Sequence, residues 1–313
     1  MSPGLSPTTP DGAVVQVLDE AAWLERSRVH AARVDAWTRD RLDRAARGRR
    51  HPVDDFLFDY YPTRPAQLRR WHPGVGVALA GPSPWRDDPA YRSLVVGGRQ
   101  VVTADPARLL ARRDGLAWVE GLVRTTLDRP ARYGCFGLHE WAMVYGLEQG
   151  QVRHESWPLR LEPDRIRAVV DEQGLHCTHY DAYRFFTPEA APRNERALDR
   201  ASQPDLEQPG CLHATMDLYK WSAKYVLLVG SDLVADALEL ARDARRLDME
   251  AAPYDLGALG YSPVAVETPA GRTEYARRQR ALAGRAEPLR RRLADALARA
   301  LAAVDDAAQA DAG

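Results

Sequence analysis

The chain has 313 residues, 45% of them hydrophobic and 28% charged, with a formal net charge of −1. These are the proportions of an ordinary globular protein, and they exclude a global electrostatic footprint for nucleic acid while leaving room for a local basic patch. No run of about 18 apolar residues exists, so no membrane span is expected, and three cysteines, an odd number, argue against a disulfide framework and fit a cytoplasmic location.

Residues 1–17, rich in Ser, Pro and Thr at the start, read as a disordered lead-in. From Asp19 to Arg50, Trp23, Leu24, Val29, Val34, Trp37 and Leu42 recur at helical intervals among charged residues, which predicts a long amphipathic helix that His51-Pro52 ends. Val53 to Trp71 reads as two short helices separated by prolines. Leu94-Val95-Val96, Gly97-Gly98 and Val101-Val102 signal a hairpin, and Asp105-Pro106 opens a further helical stretch that Pro130 closes. Arg132 to Glu148 reads as another helix. Arg153 to Leu161, Pro163 to Gln173 and Leu175 to Tyr180 read as a strand–helix–strand unit, with Gly174 stopping the helix. The polar, proline-rich stretch up to Pro209 reads as a long loop over a site. Helices are then expected over Leu212–Val229, from Ser231 to about Met249, and over Thr273–Ala303. The sum is a mainly α fold with a small β-sheet: one helical domain over 18–303 carrying a strand–helix–strand insert, and a frayed tail over 304–313.

Chemistry concentrates between Gly210 and Tyr225. This run holds Cys211, His213, Asp217, Tyr219 and Trp221, and the only two lysines of the protein, Lys220 and Lys224. Lysine has a compact head and a pKa that burial lowers, properties suited to proton transfer or imine chemistry. His213, Asp217, Lys220 and Lys224 fall near one helical face. An internal echo adds His139: Leu138-His139 precedes Tyr145 as Leu212-His213 precedes Tyr219, each after a Gly-Cys pair, so two helices could point both imidazoles into one cavity. Glu140, Asp181 and Asp217 supply carboxylates beside these imidazoles for activating water. Cys177 and His179, with Cys211 and His213, make a candidate tetrahedral zinc set, and the neighbouring His176 and Asp181 also suit iron. Arg64, Arg69 and Arg70 form a basic group fit for phosphate, and Trp141, Tyr145, Tyr183, Arg184, Tyr219 and Trp221 offer surfaces for a planar ligand.

With Leu138–Tyr145, Cys177–Thr187, Gln208–His213, His51–Leu57 and Arg64–Gly74 in view, the chain resembles an actinobacterial family of proteins labelled 3-methyladenine DNA glycosylase, over about residues 20–285. The resemblance implies an enzyme that removes alkylated purines from double-stranded DNA. A flipped base would stack on Trp or Tyr, a carboxylate such as Glu140, Asp181 or Asp217 would stabilise the developing positive charge, and Arg64, Arg69 and Arg70 would hold phosphates. No helix–hairpin–helix followed by a Gly/Pro-rich turn and an Asp is present, so the catalytic candidates rest on the residues themselves. The alternative from a different class is a metal- or lysine-dependent enzyme acting on a small molecule through His139, His179, Asp181, His213 and Lys220.

Overall fold

The computed structural model describes residues 16–61, 63–152 and 157–312. Strand β1 (Gln16–Leu18) leads into helix α1 (Glu20–Ala46), whose first turn is closed by the Asp19 carboxylate accepting from the Ala22 amide at 2.8 Å. The inward face of α1 carries Trp23, His30, Val34 and Thr38, at spacings of about one or two turns. Helices α2 (Phe56–Tyr60) and α3 (Pro65–Arg69) come next, then strands β2 (Val77–Ala80), β3 (Tyr91–Val96) and β4 (Arg99–Ala104). Gly97 and Gly98 both take positive φ, 56° and 77°, the conformation that a two-residue hairpin turn between right-twisted strands requires.

After a 3-10 turn capped by Asp105 come α4 (Arg113–Asp128), α5 (Leu138–Ala142), α6 (Pro163–Gln173), α7 (Tyr180–Tyr183), α8 (Gln203–Leu206), α9 (Leu212–Lys224), α10 (Val226–Val229), α11 (Ser231–Glu250) and α12 (Pro269–Ala312). The fold is thus mainly α with one small sheet. No helix among the described residues is long and apolar enough to cross a membrane.

The chain divides into two compact units. Among the described residues, the first comprises 16–121, 219–238 and 291–312 and contains the four-stranded sheet, in the order β1-β2-β4-β3 with β1 parallel to β2 and the other pairs antiparallel. The Trp23 indole donates to the Ala80 carbonyl at 3.0 Å and ties α1 to β2. The second comprises residues 122–218 and 239–290 and is built from helices and connecting segments.

Four expectations are corrected. Gln16 and Val17 belong to a paired strand rather than to a disordered lead-in; residues 1–15 lie outside the described part. The tail is helical through Ala312, held where Val304 is buried and Arg113 pairs with Asp305 at 2.7 Å. The helix expected over Arg132–Glu148 shrinks to α5, because Phe136 and Gly137 sit at φ 48° and 74° just before it and Gly146 at 74° after it. Of the strand–helix–strand insert, the described residues form only the helix. Arg153, His154, Glu155 and Ser156 lie outside the described residues, and the flanking segments make single bridges, Leu159 with Tyr254 and Leu175 with Asn194. The reason at the second segment is local. The Asn194 side chain accepts from the Cys177 amide at 2.8 Å and donates to the Cys177 carbonyl at 3.0 Å, satisfying the groups that a strand would offer to a ladder.

Candidate metal centre

Within the second unit, five segments deliver imidazoles and carboxylates to a buried interior. Helix α5 brings His139 and Glu140, the turn before α7 brings His179, α9 brings His213 and Asp217, and α11 brings Arg245 and Asp248. Glu207 comes from the end of the proline-rich stretch, directly after α8. All of these side chains are buried.

They fall into two groups. In the first, His139, His213 and Asp248 place one donor atom each within 4.8 Å of one another; in the second, His179, Glu207 and Asp217 do the same. His213 joins them: its ring stacks on that of His179 with centroids 5.2 Å apart and meets that of His139 edge to face at 4.5 Å. The echo between Leu138-His139 and Leu212-His213 therefore corresponds to two imidazoles in contact.

The first group is stiffened by its surroundings. His139 Nε2 donates to Asp248 Oδ1 at 2.7 Å, and its Nδ1 lies 3.5 Å from the Cys135 sulfur. The second Asp248 oxygen accepts from Arg245, whose guanidinium also donates to Glu140, both at 2.8 Å. Burial alone would lower the His139 pKa, but the Asp248 carboxylate more than offsets it and holds the imidazole well above its ordinary value. Burial would likewise raise the Asp248 pKa, and His139 and Arg245 reverse the sign. His213 goes the other way: burial first, then the charge of His139, push it well below the usual imidazole value.

The second group has different spacings. His179 Nε2 lies 3.3 Å from Asp217 Oδ2 and 3.6 Å from Glu207 Oε2. For a charge-assisted hydrogen bond these are long. As separations between donor atoms on one ion they are ordinary, since zinc bonds of about 2.0–2.1 Å in a tetrahedron place neighbouring donors about 3.3–3.4 Å apart. The same Glu207 oxygen accepts from the Gln203 side chain at 2.8 Å, which fixes its orientation.

The expected cysteine ligands do not join either group. The Cys177 thiol points to the His179 carbonyl at 3.6 Å, and burial raises the pKa of both Cys177 and Cys211. Asp181 lies 3.5 Å from Arg184, whose guanidinium rests over the Phe185 ring. Tyr145 donates to Asp171, the Trp141 indole to the Ala251 carbonyl, and Tyr183 to the Ala191 carbonyl. Lys220, Tyr219 and Trp221 belong to the first unit. There the Lys220 ammonium sits 4.4 Å from the centre of the Trp221 ring, and Tyr219 packs edge to face on Tyr61. Also in the first unit, Arg69 pairs with Asp35 at 2.8 Å, Arg70 pairs with Asp88 and covers Trp85, and Arg64 is exposed ahead of α3.

Three members were not anticipated: Glu207, Arg245 and Asp248. Asp248 carried a signal, because it continues the apolar series Ala237, Ala241 and Ala244 along the inward face of α11, where an acid is out of place. Glu207 carried none; it sits in a polar loop.

A cavity of about 260 Å³ is lined by chain neighbours of the second group, though by none of its three side chains. Its walls include Cys177 and Thr178, which precede His179, and Leu206 and Gln208, which flank Glu207. Arg129, Arg132 and Arg196 line it together with Asp205 and a Glu195 engaged by His176 at 3.2 Å. Arg132 and Arg196 have no ion pair among the described residues.

No protein-family model matches the chain, and no curated protein or solved structure is significantly similar to it.

Proposed function

We propose that this protein is a metal-dependent enzyme, a hydrolase of small anionic molecules, with a divalent ion held by His179, Glu207 and Asp217. The observation that carries this reading is the placement of two buried carboxylates around the His179 imidazole at 3.3 and 3.6 Å, spacings that suit ligands of one ion better than hydrogen-bonded partners. A bound zinc or iron would supply Lewis acidity and activate water near neutral pH. The cavity lined by the chain neighbours of His179 and Glu207 supports a small substrate, and its three arginines support a carboxylate or phosphate on it.

The first expectation, excision of alkylated purines from DNA, draws less support than the alternative. Arg69 and Arg70 spend their charge on Asp35 and Asp88, and Trp141 and Tyr145 are buried with their polar atoms engaged.

Two measurements test the reading. Elemental analysis of purified protein, and of protein dialysed against zinc, manganese or ferrous iron, should find bound metal that His179→Ala reduces. A panel of small phosphate and carboxylate esters should then reveal hydrolysis that a chelator removes and metal restores. Chelated, metal-free protein that releases methylated purine from alkylated duplex DNA would overturn the proposal.

A further inference from the structure

We infer that a second ion binds beside the first, held by His139, His213 and Asp248, so that the second unit carries a two-metal centre. The inference rests on the reading of this unit as metal-binding, but its ligands are a separate set with no residue in common. The three donor atoms lie within 4.8 Å of one another.

An independent observation comes from His213. Its side chain is 9% exposed, and its Nδ1 is buried with no hydrogen-bond partner among the described residues. Buried ring nitrogens usually have a partner, and a bound ion is one group that would supply it here. His139 Nε2 donates to Asp248 Oδ1 at 2.7 Å, and an ion held by both would take the place of that proton, so both donors are already brought to one point.

The outer layer is also that of a metal site. Arg245 holds the far oxygen of Asp248 and is itself held by Glu140, which fixes the carboxylate in one orientation. The shared ring stack sets the two groups side by side, with His213 touching both His139 and His179. Paired ions suit hydrolysis, since one favours the attacking oxygen and the other the leaving oxygen of the substrate.

The experiment is a metal count. Full-length protein is stripped with chelator, titrated with cobalt(II), monitored by visible absorption and finally analysed for cobalt content. Two ions per chain are expected, with His213→Ala and His179→Ala each retaining one and circular dichroism confirming that both variants fold. One ion in the wild type, retained by His213→Ala and lost by His179→Ala, would overturn the second ion and leave the first reading standing. One ion lost by both variants would mean a single shared site and would also overturn it. No ion in the wild type would sink both readings. If a variant does not fold, the wild-type stoichiometry decides alone.

Discussion

The imidazole of His139 meets the imidazole of His213 edge to face, with ring centroids 4.5 Å apart. His139 is held from behind by Asp248, and Asp248 by Arg245, so the contact is the end of a buried chain of charge. Its members depend on one another. Taking the carboxylate out would leave Arg245 and His139 buried with their charges less compensated.

Asp248→Asn should therefore lower stability by about 3–5 kcal/mol, the usual cost of removing one partner from a buried ionic set. Urea unfolding of the variant checks this. A loss below about 1 kcal/mol would mean that the chain of charge is not what holds this part of the second unit.

Lys220→Arg should be close to silent. The ammonium rests on the Trp221 ring, and a guanidinium can occupy the same face with its charge intact. The expected change is under about 1 kcal/mol in stability and none in bound metal, read by thermal melting and elemental analysis. Loss of hydrolytic activity with folding and metal intact would restore Lys220 as a reacting group.

Asn194→Ala should be costly for a residue outside any helix or strand. It removes both backbone bonds to Cys177, and each buried group left unpaired costs about 1–3 kcal/mol. Hydrogen exchange should report it as faster exchange of the Cys177 amide, and metal affinity should fall as His179 loses its anchor two residues on.

Acid should destabilise the first unit through His72. Burial, then the charge of Arg70, lowers its pKa from 6.5 to about 4, and its Nδ1 lies 2.7 Å from the Tyr91 hydroxyl. The folded pKa is depressed, so between pH 6.5 and about 4 the unfolded chain binds the proton and the folded chain does not. Stability from this group is complete above pH 6.5 and is lost as pH falls towards 4, by at most about 3 kcal/mol. Urea unfolding at pH 7 and pH 4.5 should show the loss, and His72→Gln should flatten that dependence.

Much of the fold was legible where one local rule decides. Asp19 and Asp105 cap the helical turns after them, Gly97-Gly98 turns the hairpin, and Gly174 stops α6. The reading failed where the backbone's partner was a side chain far along the sequence. Asn194 supplies Cys177 with the bonds of a strand, and nothing near Cys177 announces it. The site divides in the same way. His139, His179, His213 and Asp217 stood out by composition, whereas Glu207 and Asp248 arrive from segments whose approach is a property of packing. Asp181 and the two cysteine ligands were proposed from sequence proximity, which says nothing about where a thiol or carboxylate points.

The burial of Cys177 has a consequence for handling the protein. A thiol that is covered and held in its protonated form reacts with an alkylating reagent only after its surroundings open. Its labelling rate is therefore a natural clock for breathing of the second unit. Metal that stabilises the closed form should slow that clock in proportion to its occupancy, giving a reading of binding that needs no knowledge of the substrate.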